Sequence, residues 1–168
     1  FCEMIAIWLV GFWENLKKPK NINFVELGPG NGDLCLVLLK TLKNFPEILN
    51  SINIFLYEKS EKLTKIQKGR IVSKRVFWIK NLNKIKKGPV IFFGNEFLDA
   101  LPIKQFKKIN NDIYEKHAYL KKNKVDFIFK KASKKEVNKL KNYKLLKKNG
   151  VIEYPEYGFK ELNIVCEK

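Results

Sequence analysis

The chain has 168 residues and carries 34 Lys+Arg against 17 Asp+Glu, a net charge of +17. At 45% hydrophobic and 13% aromatic it can bury a core of about one domain, which excludes a disordered tail. No apolar run approaches the ~20 residues of a membrane-spanning helix. The three cysteines (Cys2, Cys35, Cys166) form no C-x-x-C pair and the one histidine is His117, which argues against a disulfide scaffold, a zinc site or a Ser-His-Asp triad and for a reducing compartment.

A charge of +17 points either to a nucleic-acid or acidic-membrane binder or to coding bias. Only Arg70 and Arg75 are arginine; the other 32 basic residues are lysine, and Lys, Asn, Ile and Phe make up 79 of the 168 residues. These four have AT-rich codons. Proteins selected for nucleic-acid contact also use Arg, whose planar fork reads phosphates and bases. Coding bias therefore accounts for the charge better than a partner does.

In chain order, residues 1–14 place Ile5, Trp8, Leu9, Phe12 and Trp13 at three- and four-residue spacing, which predicts an amphipathic helix. The chain opens on this helix at Phe1 and closes inside another. A fragment truncated at both ends is expected. INFVEL (22–27) is a short β-rich run, broken by GPGNGD. Residues 33–43 form a largely apolar helix on Leu34, Cys35, Leu38, Leu39 and Leu42, with Asp33 in the first turn, where the helix dipole favours an anion. INIFLYE (52–58) is a second strand, 60–70 a helix capped by Ser60, RVFWI (75–79) a third strand and PVIFFG (89–94) a fourth, apolar enough for a buried parallel strand. This alternation predicts an α/β, doubly wound, Rossmann-like parallel sheet. Near 105–130, QFKKI, IYEKHAYL and KVDFIF read as an antiparallel β insertion that turns at Lys122 and Asn123. A Lys-rich helix over 134–147, the extended piece GVIEYP and a helix over 156–167 follow. The division expected is a cofactor-binding core over 22–104, then the insertion and helices over 105–168.

Three segments carry chemistry. VELGPGNGDL (25–34) sets Gly28, Gly30 and Gly32 between a strand and a helix, where glycines let the chain turn sharply and a ligand approach the backbone. The spacing is neither G-x-G-x-x-G nor a P-loop. Glu26 stands at the strand end. A carboxylate there would repel a pyrophosphate and attract an ammonium or sulfonium, which points to S-adenosyl-L-methionine rather than NAD or ATP. In LYEKS (56–60), Glu58 ends the second strand, where an acid can accept both hydroxyls of a ribose. GNEFLDALPIKQF (94–106) follows the fourth strand and gathers Asn95, Glu96 and Asp99 in an apolar frame of Phe97, Leu98, Ala100, Leu101 and Ile103. Asn81 and Leu82, after the third strand, stand where an adenine would stack and hydrogen-bond. Trp78 and Cys35 read as packing residues and His117 as an ordinary surface residue.

VELGPGNGDL, YEKS and above all NEFLDALPIKQF resemble the MidA-like family of S-adenosylmethionine-dependent methyltransferases, which includes a mitochondrial complex I assembly factor that methylates an arginine. The family pattern is roughly E-x-G-P-G-x-G-x-L, then E-x-S, then N-E-F-F-D-A-L-P-x-x-Q-F. FCEMIAIWL, FWIKNL, IYEKHA and GVIEYP resemble further family segments, so the likeness spans nearly the whole chain. Cys2 stands where the family has Gly, Leu98 where it has the second Phe, Tyr114 where it has Trp and Lys116 where it has Arg.

The resemblance implies a class I methyltransferase sheet that moves a methyl group from S-adenosyl-L-methionine to a protein substrate, an arginine guanidinium of a respiratory-complex subunit being the candidate. Cofactor-binding residues would be Glu26, Leu27, Gly28, Pro29, Gly30, Gly32, Glu58, Ser60, Asn81, Leu82 and Asn95; catalytic residues would be Asn95, Glu96 and Asp99. The setting implied is the cytoplasm of a bacterium, or the mitochondrial matrix in a eukaryote. Two alternatives stand beside it: a base-amino methyltransferase of nucleic acid, against which Glu96-Phe97 lacks the prolines and aromatic that hold a flipped base, and a non-catalytic S-adenosylmethionine-binding assembly module.

Overall fold

The structure, a computed structural model, describes residues 1–146 and 150–166. The chain divides into two compact units, Phe1–Asp99 with Ile164–Lys168, and Ala100–Asn163.

In the first unit the order is α1 (Cys2–Asn15), β1 (Ile22–Leu27), α2 (Asp33–Leu42), α3 (Pro46–Ser51), β2 (Ile52–Tyr57), α4 (Glu61–Arg70), β3 (Val76–Ile79), a 3₁₀ turn (Leu82–Lys84) and β4 (Val90–Phe93). The four strands form one parallel sheet in the order β3-β2-β1-β4. The chain therefore winds outward from β1 through β2 to β3, then returns to the other side of β1. Such a reversal leaves a crevice at the carboxyl ends of the two strands it separates, here β1 and β4.

The strands are where the apolar runs predict them, because β-branched and aromatic side chains fill both faces of a covered sheet. Ile22, Phe24, Ile52, Ile54, Leu56 and Val76 pack with Leu34, Cys35, Leu38 and Leu42 of α2, Ile48 of α3 and Ala6, Leu9 and Trp13 of α1. Val25, Phe55, Tyr57, Ile79 and Leu82 form a second, smaller cluster. Each such side chain removed from water contributes about 1.5–3 kcal/mol.

Two expectations need correction, and one helix is additional. In α1 the buried face is Ala6, Leu9 and Trp13; Trp8 and Phe12 are 49% and 37% exposed and stack on each other, ring centroids 5.4 Å apart. The helix has two apolar stripes, and periodicity does not say which one packs. β4 is not buried on both faces: among the described residues it pairs with β1 alone, and of its four residues Ile91 is the buried one. The short helix α3 has no counterpart in the sequence reading, since six residues are too few to show a period; Pro46 at its first position marks it.

The second unit has β5 (Lys104–Ile109), β6 (Asp112–Lys121), β7 (Lys124–Lys131), α5 (Lys134–Asn142), β8 (Gly150–Tyr154) and α6 (Glu156–Cys166) as far as Asn163. Its sheet is antiparallel in the order β7-β6-β5-β8. The β6–β7 hairpin turns at Lys122 and Asn123, both left-handed (φ 46° and 61°), as a two-residue turn requires. The expected extended piece at GVIEYP is a strand of this same sheet, with Lys104 opposite Tyr154. Phe106, Ile113, Leu140, Ile152 and Tyr154 form the core, and Lys104 Nζ reaches Glu136 at 2.9 Å and Glu156 at 3.6 Å. Ser133 caps α5 by accepting from the Glu136 amide. Residues 147 and 167, expected in the last two helices, lie outside the described residues.

Candidate functional site

The strand register sets the geometry of the site. Leu27 pairs with Tyr57 and Tyr57 with Ile79, while Glu26 pairs with Phe93. The loops that leave these four strands therefore emerge side by side, in the order Asn81, Glu58, the glycine loop, Asn95. Three of the chemistry-bearing segments, far apart in sequence, share one edge of one sheet.

The glycine loop begins where the Gly28 N–H donates to the Tyr57 carbonyl at 3.2 Å, and it closes where the Gly32 N–H donates to the Pro29 carbonyl at 2.8 Å. Gly28, Gly30 and Gly32 are all left-handed, φ 67°, 54° and 82°. L-residues resist this conformation, which is why glycine holds these positions. A Cβ on Gly28 would meet Phe97 Cδ2 at 2.9 Å, and one on Gly32 would meet Ile71 Cδ1 at 2.7 Å; at Gly30 it would meet open space. The loop is thus packed at both ends and open at its crest.

Glu26 is 6% exposed, and its Oε2 has no hydrogen-bond partner among the described residues. Burial pushes its carboxyl up to about 8, and the charge of Asp33 adds to the shift. An unpaired buried carboxyl costs stability, which makes one at the strand end before a glycine loop a functional-site candidate. Cys35 stands near it on α2, buried, its thiol pushed up to about 12 by burial and then by the charge of Glu26.

Glu58 is buried as well. Its Oε1 accepts from the Ser60 N–H at 2.7 Å and its Oε2 from Gln67 Nε2 at 3.3 Å. Ser60 Oγ in turn accepts from the Leu63 N–H at 3.3 Å, which caps α4. Asn81 Oδ1 accepts from the Asn83 N–H at 2.8 Å and so shapes the loop after β3. The Leu82 side chain is 2% exposed and packs with Val25, Phe55, Tyr57 and Ile79, which anchors the loop at Asn81 from the core.

Asn95, Glu96 and Asp99 lie beyond β4 in a run of bends and turns, all three exposed. Among the described residues none has a hydrogen-bond or ion-pair partner. The apolar residues around them are partly exposed, Leu98 by 41% and Ile103 by 47%. Phe97 is the exception: its ring lies edge-on to Tyr57 at 6.2 Å and beside Gly28, which ties this segment to the glycine loop. Glu96 is left-handed (φ 53°), an uncommon state for a residue with a long side chain.

Gln67, absent from the sequence reading, proves to be central. It is fully buried on α4, donates to the Gly30 carbonyl at 2.7 Å and to Glu58, and accepts from Trp78 Nε1 at 3.0 Å. Nothing in a Lys-rich helix distinguishes one glutamine from a solvated residue. The only signal is its spacing, one residue type that can both donate and accept, two turns after the Ser60 cap.

A family model described as "Putative S-adenosyl-L-methionine-dependent methyltransferase" matches residues 4–160. The chain is similar to the mitochondrial protein arginine methyltransferase NDUFAF7 of Xenopus laevis, 33% identical over 135 residues that cover 66% of this chain and 31% of that protein. Its Caenorhabditis elegans homolog is 31% identical over 137 residues, covering 68% and 32%. The chain thus spans about a third of the length of these relatives. In fold it is similar to a Burkholderia thailandensis protein whose crystal structure was solved bound to S-adenosyl-homocysteine: TM-score 0.72 at 22% identity, covering 99% of this chain and 43% of that one. Given the family match over almost its whole length, the chain belongs to the MidA-like family of S-adenosylmethionine-dependent methyltransferases.

Proposed function

We propose that the loops at the carboxyl edge of the parallel sheet bind S-adenosyl-L-methionine and that the protein transfers its methyl group to an arginine of a protein substrate. The observation that carries this reading is the unpartnered, buried carboxyl of Glu26 beside a glycine loop whose crest is open. A methionyl ammonium is the complement of that carboxyl. The donor set fits the rest of the cofactor too. A carboxylate has about four lone-pair sites; at Glu58 the Ser60 N–H and Gln67 occupy one on each oxygen, which leaves one on each for a pair of vicinal hydroxyls. Leu27, Gly28, Pro29, Gly30 and Gly32 would form the wall of the site, Asn81 the adenine end and Asn95 the junction with the acceptor.

When bound, S-adenosyl-L-methionine supplies an electrophilic methyl carbon. The work left to the chain is alignment and charge. A guanidinium is cationic and a poor nucleophile. Glu96 and Asp99, exposed and without partners among the described residues, would grip it through charge-assisted hydrogen bonds and turn one nitrogen toward the methyl carbon. The nitrogen that receives the methyl group would give up a proton, which one of the two carboxylates would take, leaving S-adenosylhomocysteine as the other product. The mitochondrial arginine methyltransferases among the relatives support a protein arginine as acceptor; the family resemblance makes a respiratory-complex subunit the first substrate to try.

The test uses the full-length protein, S-adenosylhomocysteine titrated by calorimetry and methyl-labelled S-adenosylmethionine with a protein extract. Binding is expected, with label recovered as methylarginine. Glu96→Gln and Asp99→Asn should each keep the affinity for S-adenosylhomocysteine and lower methyl transfer by about 10²-fold or more. No binding would overturn the cofactor; label in RNA instead of methylarginine would overturn the acceptor; variants working at the wild-type rate would overturn the residue roles.

A further inference from the structure

We propose that Gln67 is a positioning residue of the cofactor site, one buried amide that aims both the glycine loop and the Glu58 carboxylate at the ligand. The inference rests on the cofactor reading above and assigns a role to a residue that would touch no part of the cofactor.

Its geometry allows one orientation. The Gly30 carbonyl and Glu58 Oε2 both need a donor, so they take the NH₂ end of the amide; the Trp78 indole N–H needs an acceptor, so it takes the oxygen. Reversing the amide would break all three bonds. Trp78 on β3 thus fixes which way Gln67 on α4 points, and Gln67 fixes groups on the loops after β1 and β2.

Two consequences follow for the ligand. A peptide plane carries its C=O and N–H in opposite directions. With the Gly30 carbonyl held at 2.7 Å toward α4, the Asn31 N–H of the same plane points away from α4. Arg70 holds the next carbonyl, that of Asn31, at 2.7 Å from the same helix. The two acceptors at the crest, the Gly30 and Asn31 carbonyls, are therefore engaged by α4, and a donor is left for a ligand carboxylate. At Glu58, Gln67 and the Ser60 N–H bracket the carboxylate from its two oxygens and set its plane. A carboxylate free to rotate would meet two adjacent hydroxyls in only a fraction of its orientations.

A glutamine that served only to satisfy the core would affect stability and leave ligand discrimination alone. The test therefore reads a ratio. Dissociation constants of the full-length protein are measured for S-adenosylhomocysteine and for its 2′,3′-dideoxyribose analogue, which lacks the hydroxyls that Glu58 would accept. Wild type should bind the analogue about 10–100-fold more weakly, as expected for hydrogen bonds to a charged group. Gln67→Leu should weaken S-adenosylhomocysteine by about tenfold or more and bring the ratio close to one. Gln67→Met is the second variant: it keeps nearly the same length and volume, places no second carboxyl beside Glu58, and has no donor for Gly30 or Glu58. It should show the same collapse. A folded Gln67→Leu or Gln67→Met that keeps the wild-type ratio overturns the inference. Wild type that binds neither compound overturns the cofactor reading itself, so the two failures are distinguishable.

Discussion

Arg70 Nη2 lies 2.6 Å from Asp33 Oδ1, so the last turn of α4 is tied to the first turn of α2, across the glycine loop. The pair is exposed, the side chains 41% and 66% accessible, and contributes under about 1 kcal/mol by itself. Its relevance lies in where Asp33 stands, near enough to Glu26 for its charge to favour the neutral carboxyl.

This fixes the sign of a pH dependence. The Glu26 carboxyl titrates at about 8 in the folded protein and at about 4.3 in an unfolded chain. Below both values it is protonated in each state and leaves stability unaffected. As pH rises between them the unfolded chain ionises and the folded one does not, so the ligand-free protein loses stability from about pH 4.3 to about 8 and no further. Glu26→Gln should remove that slope and raise the melting temperature at pH 8 while abolishing S-adenosylhomocysteine binding. Asp33→Asn should move the upper end of the window to lower pH. Thermal melts of the three proteins from pH 4.5 to 9 decide it; parallel profiles for wild type and Glu26→Gln would sink the assignment.

Gly28 and Gly30 should respond differently to alanine. Both are left-handed, which costs an L-residue about 1–2 kcal/mol. At Gly28 the new methyl also meets Phe97 at 2.9 Å, adding overpacking of about 1–3 kcal/mol. Gly28→Ala is expected to cost roughly 2–5 kcal/mol in urea denaturation, and Gly30→Ala only the conformational part. Gly30→Ala should instead weaken S-adenosylhomocysteine, because its methyl projects into the open crest. Equal destabilisation of the two variants would contradict this division of the loop.

Cys35 should be chemically silent in the folded protein. Its thiol is buried and pushed up to about 12, and the thiolate is the reactive species. Cys166 is exposed and Cys2 partly so. Titration with a disulfide reagent at pH 8 should consume Cys166 and Cys2 in the native protein and Cys35 only after denaturant is added. Native-state modification of Cys35, mapped by mass spectrometry, would refute its burial.

The sequence alone determined most of what is local, the six-residue helix α3 excepted. Strands β1 to β3, the glycine turns and the Ser60 cap follow from side-chain period, from residues that tolerate positive φ and from a hydroxyl one residue before a helix, all properties of a few neighbouring residues. The motif residues were legible for the same reason: Glu26 and Glu58 sit at the ends of their own strands, and the family pattern runs through contiguous segments. Tertiary structure decided what depends on partners far along the chain. It selected Ala6-Leu9-Trp13 over the Trp8 and Phe12 stripe of α1, put Leu82 in the core, left β4 half-covered and paired β8 with β5 across more than one intervening strand. It also drew Gln67 onto Gly30, Glu58 and Trp78, because a buried amide must find donors and acceptors wherever packing brings them. The Lys-rich composition that dominates the sequence is the part that says least about the site, whose proposed contacts are carboxylates and backbone amides held by a sheet edge.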